Sequence, residues 1–279
     1  MRSVGLTLGI VVLASLAHAQ APVVEPGGVV NNGSYAAQGV APGSIVAIFG
    51  SNLASAVAVS DTIPLSTNLG SVTSVTFNNV PAPLYFVGPI QMDAQLPYES
   101  LAAGAASGTV NIVVTTNTGT SVSQTVNVLP TLPGIFTLTQ NGLGQAIATD
   151  NNDGAWAAPT GSIPNVTSHP ISISSGHALV IWCTGLGDVT PTIADGANSY
   201  NPDGSVTVRK TVAQPPDLVV LVGGVQAQVL FSGLAPAYVG ENQIDVLLAP
   251  NTPTGPAVPV QIQLNGVTTS DQVTIAVGN

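Results

Sequence analysis

Short apolar runs recur along the chain with a period of two, separated by glycine, proline and asparagine. In Val258-Pro-Val260-Gln-Ile262-Gln-Leu264 every even position is apolar and every odd one is polar or proline. That alternation predicts a half-buried strand, because successive side chains of extended backbone point to opposite faces. Pro259 predicts an edge strand or a strand start, since proline brings no ladder donor. Further strands are predicted at 44–49, 71–78, 90–96, 109–115, 120–128, 178–183, 218–222, 227–231, 243–248 and 272–277. Helical periodicity is almost missing after the N-terminal leader. The 30 glycines and 22 prolines interrupt any helix every several residues. Many short strands with regular turn signals predict an all-β protein of sandwich type.

The chain also repeats itself. Gly43-Ser-Ile-Val-Ala-Ile-Phe49 lies without gaps over Gly176-His-Ala-Leu-Val-Ile-Trp182. Val80-Pro-Ala82-Pro-Leu-Tyr-Phe86-Val-Gly88 lies over Val225-Gln-Ala227-Gln-Val-Leu-Phe231-Ser-Gly233, and Gln91-Met-Asp93 over Gln243-Ile-Asp245. Each half closes on a hairpin-like pair, one turning near Asn117-Thr-Gly119 and the other at Asn265-Gly266, a strong type I′ signal. One plan is used twice: a strand carrying an aromatic inward (Phe49 or Trp182), a hairpin turning at Asn78-Asn79 or Gly223-Gly224, a strand holding Asp93 or Asp245, and a final hairpin. The expected architecture is two immunoglobulin-like β-sandwich domains, at 28–130 and 172–279, joined by a connector at 131–171. Within the connector, Gly144 to Thr149 and Asn152 to Trp156 read as a small β-hairpin, with Trp156 packing it onto a domain.

Composition narrows the function. Only 6% of residues are charged, against about 25% in an average soluble domain. Three Lys and Arg residues against 13 acids argue against nucleic-acid binding and against a polybasic membrane-surface mode. Hydrophobic content of 45% argues against disorder. Residues 1–19 read as a secretory signal peptide, with Arg2, an apolar run from Val4 to Leu16 and an Ala17-His-Ala19 cleavage pattern. No membrane span is expected once it is removed. Cys183 is the single cysteine, so no intrachain disulfide forms, and its apolar run Leu179 to Cys183 predicts a buried small hydrophobe.

A set of phrases in fixed order carries a family resemblance. They run from Val29-Val-Asn-Asn-Gly33 and Val40-Ala-Pro-Gly-Ser-Ile-Val-Ala-Ile-Phe-Gly-Ser-Asn-Leu53 through Gln91-Met-Asp-Ala-Gln-Leu-Pro-Tyr98, Pro133-Gly-Ile-Phe136 and Thr184-Gly-Leu-Gly187 to Phe231-Ser-Gly-Leu-Ala-Pro236. Together they resemble the Solibacter-type uncharacterised C-terminal domain family of secreted acidobacterial proteins. Each half more loosely resembles an IPT/TIG-type immunoglobulin-like domain. The resemblance implies an exported or cell-surface protein with no attached enzymatic activity and no catalytic residues to carry over. The module follows the signal directly here, so no role as accessory to a catalytic domain in the same chain is expected.

Candidate chemistry is sparse. Asp150-Asn-Asn-Asp153-Gly154 invites a calcium reading, but glycine falls fifth where an EF-type loop wants it sixth, and Gly161 stands where the loop wants glutamate. A hairpin turn is the expectation, as it is for Asn201-Pro-Asp203-Gly204. Asp93 and Asp245 sit at equivalent positions of different halves, so each is expected to serve its own fold rather than form an acid/base pair. His169, His177 and Cys183 offer three zinc ligands by count, but their placement argues against convergence. No G-x-S-x-G elbow appears. Tyr200 and Tyr238 lie in predicted loops and suit sugar stacking as a secondary reading. No catalytic, cofactor-binding or metal residue is therefore expected, and the ligand is left open. The expected function is a non-catalytic structural or adhesive role at the cell surface or in the periplasm, with a protein or polysaccharide partner and self-association open. A carbohydrate-binding module is the alternative, and a hydrolase with an unrecognised site the remote one.

Overall fold

A computed structural model describes residues 20–174, 176–200, 205–212, 214 and 216–279. The signal segment 1–19 and the turn expected at Asn201 to Gly204 lie outside the described residues. The chain is all-β, built as two β-sandwich units.

In the first unit, one antiparallel sheet runs in the order Val23–Asn31, Ile45–Ser51, Gln91–Gln95, Leu84–Val87, Ala58–Val59. The facing sheet runs Gln124–Val128, Gly108–Thr116, Val72–Phe77, Val80–Pro81. Alternating residues of both fill the core: Val46, Ile48, Met92 and Leu84 from the first, and Phe77, Val75, Ile112 and Val114 from the second. The strand Val23–Asn31 begins ahead of residue 28 and forms the edge beside Ile45–Ser51.

The second unit is one continuous sheet that folds over its own core. Its order is Gly144–Gln145, Val273–Gly278, Gly255–Leu264, Leu218–Val222, Val225–Leu234, Asn242–Leu247, Leu179–Thr184, Ala148–Asp150, Trp156–Ala157, Ser168–His169. The residues expected as a hairpin-containing connector also pair into this sheet. Gly134–Ile135 and Ala148–Asp150 pair with Leu179–Thr184, and Gly144–Gln145 and Ile171–Ser172 pair with Val273–Gly278. The expected hairpin is present, with Thr149 opposite Trp156, and Trp156 is half-buried.

Three two-residue turns predicted from Asn and Gly have positive φ at both central residues: Asn78-Asn79, Gly223-Gly224 and Asn265-Gly266. That is the type I′ geometry whose twist matches the flanking strands. Two expectations need correction. Phe49 and Trp182 do not point into the cores. Val46 and Ile48 on one strand, and Leu179, Ile181 and Cys183 on the other, take the inward face, and residues of opposite parity must take the outer one. Phe49 instead lies against Tyr35, with ring centroids 6.3 Å apart. Pro259 does not mark an edge, because Gly255–Leu264 has neighbours on both sides. The Leu218–Val222 ladder ends at Val222 opposite Val260, so Pro259 faces the turn, where its carbonyl accepts the Gly223 N–H at 2.7 Å. No strand donor is missed there.

Candidate functional site

Among the described residues, polar chemistry gathers at the end of the large sheet and at the seam between the units. At the sheet end, Asp150 closes the strand Ala148–Asp150, the turn after it holds Asp153, His169 closes Ser168–His169, and His177 precedes Leu179–Thr184. The turn is shaped by its own side chains. Asp150 Oδ1 accepts the Asn152 N–H at 2.9 Å, Asp153 Oδ1 accepts the Ala155 N–H at 2.9 Å, and Gly154 takes φ +74°. Asn151 then exchanges two bonds with Ala178: its N–H donates to Ala178 O at 3.0 Å, and its side-chain oxygen accepts the Ala178 N–H at 2.7 Å. This sets His177 beside Asp150, with Nδ1 2.5 Å from Oδ2. The Asp150 side chain is 1% exposed, so the carboxylate depends on these donors.

His169 lies on the outermost strand, with Nε2 2.9 Å from Asp153 Oδ2 and Nδ1 3.0 Å from Pro170 O. The bond to Asp153, then that to Pro170, raises the His169 pKa, and the same contact with His169 lowers that of Asp153. One ligand atom each of Asp150, Asp153 and His169 lie within 4.8 Å of one another. The expected turn is therefore present, and both histidines reach it, a placement that their spacing did not suggest. Parallel pairing of Trp156–Ala157 with Ser168–His169 brings His169 to the turn, and the exchange between Asn151 and Ala178 brings His177. Cys183 stays apart in the core, where burial pushes its thiol pKa up.

The seam is closed by buried polar groups. Thr184 Oγ1 donates to Gly240 O at 2.7 Å and accepts the Ile45 N–H at 2.9 Å. Asn31 Nδ2 donates to Leu132 O at 2.7 Å, and Gln95 Oε1 accepts the Gly196 N–H at 2.6 Å. The Tyr85 hydroxyl donates to Val239 O. A Cβ on Gly240 would stand 2.6 Å from Gly43 O, so only glycine permits this approach. Beside the seam, a cleft of about 370 Å³ is lined by Tyr98, Glu99, Asp188, Thr190, Ile193 and Val212. Asp195 accepts the Tyr98 N–H at 3.0 Å; burial, and secondarily neighbouring Glu99, push its pKa up to about 6.

Asp93 and Asp245 are equivalent in structure as in sequence. Each accepts a bond from the glutamine two residues earlier, Gln91 at 2.9 Å and Gln243 at 2.8 Å, on the face away from its core. Burial raises the pKa of both. Tyr200 and Tyr238 are 41% and 55% exposed, on loops joined where Ser199 Oγ donates to Ala235 O at 3.3 Å.

No family model matches the chain, and no curated protein does. Among solved structures, domains 5–6 of the S-layer protein SbsC are similar at 15% identity with a TM-score of 0.25, over 92% of this chain and 98% of that one.

Proposed function

We propose that the protein is an exported, non-catalytic structural or adhesive module of the cell surface or periplasm. The observation that carries this reading is the seam. Thr184, Asn31 and Gln95 are each at most 1% exposed and spend their hydrogen bonds on contacts between or beside the units. Fully satisfied buried polar groups fix one arrangement of packed surfaces. A two-unit body with a fixed arrangement suits load bearing and display better than a cleft that must open. The signal pattern of residues 1–19, the weakly charged surface and the resemblance to a family of secreted proteins support export. Light scattering and negative-stain microscopy over a concentration series, with binding to cell-envelope preparations, test the reading. Assembly or envelope retention is expected. A strict monomer that envelopes do not retain overturns it.

A second reading, carbohydrate binding, draws on Tyr200, which lines a cleft of about 560 Å³ with Ile63, Pro64 and Arg209. Retardation by polysaccharide that Tyr200→Ala or Tyr238→Ala abolishes would favour it.

A further inference from the structure

Both nitrogens of His169 face acceptors. Pro170 O is a carbonyl oxygen and Asp153 Oδ2 a carboxylate oxygen, at 3.0 and 2.9 Å. A neutral imidazole carries one N–H and satisfies only one of them. The contact with Pro170 is the outer bond that a metal-ligating histidine makes, with Nδ1–H held by a backbone carbonyl and the Nε2 lone pair turned to the ion. The other contact is then completed either by a second ring proton, as in an imidazolium, or by a cation held between Nε2 and Asp153. Asp150 supplies a third ligand within 4.8 Å of both, and His177 Nδ1 lies 2.5 Å from its Oδ2.

We propose that Asp150, Asp153 and His169 form a binding site for a divalent first-row transition ion, with zinc the best match. One imidazole nitrogen and two carboxylates suit such an ion, whereas calcium takes oxygen ligands throughout. The side chains of His169 and Asp153 are 33% and 47% exposed, so the ion enters from solvent and keeps a water at its open position. Pro170 O and His177 are positioning groups outside the ligand set. The ion ties the sheet's outermost strands to the turn. Those strands join the sheet through one register pair, Thr149 with Trp156, through the short parallel ladder of Trp156 and Ala157 with Ser168 and His169, and through the bond from Gln145 Nε2 to Ala157 O at 3.1 Å. This site stands independently of the surface role proposed above.

The test is titration of the tag-free, chelator-treated full chain with Zn²⁺ near neutral pH, followed by the ¹⁵N shift of the His169 ring and by hydrogen exchange. A single saturable equivalent is expected, with the Nε2 resonance shifted and slower exchange at Trp156 and Ala157. His169→Gln, at a half-buried position, and Asp153→Asn, at an exposed one, are expected to weaken binding by about 100-fold or more, beyond the roughly 10- to 100-fold that outer-shell changes cost. Equal competition by Ca²⁺, unaltered affinity in both variants, or no saturable binding with an unshifted ring overturns the proposal. His169 is then an imidazolium paired with Asp153.

Discussion

The two halves differ most where the repeat is clearest. Val80 to Gly88 and Val225 to Gly233 share a bulge at the same place: Tyr85 is the extra residue between Leu84 and Phe86, and Leu230 the extra one between Val229 and Phe231. Phe86 then pairs with Asp93 and Phe231 with Asp245. Yet the first segment breaks into two strands belonging to different sheets, whereas the second runs unbroken through one. The cause is chemical. Pro81 and Pro83 stand where the second half has Gln226 and Gln228. Ala82, between the prolines, still donates to Val75 O at 2.8 Å, and Pro83 O accepts the Gln95 N–H, but Pro83 has no proton to return. The bulge residues also meet different surroundings. Tyr85 reaches Val239 across the seam, and Leu230 is 50% exposed. Two residues separate Gly88 from Gln91, while nine separate Gly233 from Gln243. The longer loop carries Val239, which accepts from Tyr85 across the seam, and Gly240, which packs against Gly43 there while its carbonyl accepts from Thr184 of its own unit. An insertion in one copy of the repeat thus covers the bulge of the other.

Importing the break into the second half has the largest expected effect. Gln228→Pro at its pairing with Leu247 is expected to lose about 3 kcal/mol or more, seen as a lower urea midpoint. A midpoint shifted by less than a quarter of that amount removes proline as the cause of the split sheet. Next, Leu84 is fully buried and its counterpart Val229 only partly. Leu84→Ala is expected to cost about 3 kcal/mol and Val229→Ala about 1, so equal losses would show that the bulge packs alike in both halves.

The inserted loop has its own pH signature. Burial pushes the Glu241 pKa from its ordinary 4.5 up to about 7. The folded chain holds this proton more tightly than the unfolded chain, so ionisation opposes folding. That opposition is full above about pH 7, fades as pH falls toward 4.5, and is gone below. Glu241→Gln is expected to stabilise by on the order of 2 kcal/mol near pH 8 and by nothing measurable near pH 4, followed by thermal unfolding across pH. A gain that is the same at both pH values would assign the effect to packing. The smallest expected effect separates the bulge residues themselves. Tyr85→Phe loses its bond to Val239 and about 1 kcal/mol, while Leu230→Thr stays within about 0.5 kcal/mol. A larger loss at Leu230 would mean that a partner or a second copy covers it in solution.

Much of the fold is legible along the chain because its signals are local. Alternation at Val260, Ile262 and Leu264 locates a strand whose inward residues are all buried. Asn265-Gly266 locates a turn that only residues tolerant of positive φ can make. The failures have equally physical causes. Phe49 and Trp182 are large and apolar, but parity within the strand outranks hydrophobicity in choosing a face. Pro259 lies in an interior strand because its neighbour stops one residue short of it, a length that no local signal encodes.

The candidate metal site shows the same division. Asp150-Asn-Asn-Asp153-Gly154 by itself determined a turn, through short-range bonds from side chain to backbone. Composition determined the lack of a basic surface, and the repeat determined that one plan is built twice. Only the tertiary structure decided that His169 and His177, eight residues apart, both reach that turn. One arrives by parallel pairing at the sheet's end and the other through the exchange between Asn151 and Ala178. It likewise decided that Tyr85 is capped by a loop more than 150 residues away while Leu230 is not. Periodicity and turn chemistry act over a few residues, whereas strand order and domain docking depend on which distant surfaces meet, and neighbouring residues carry no record of that.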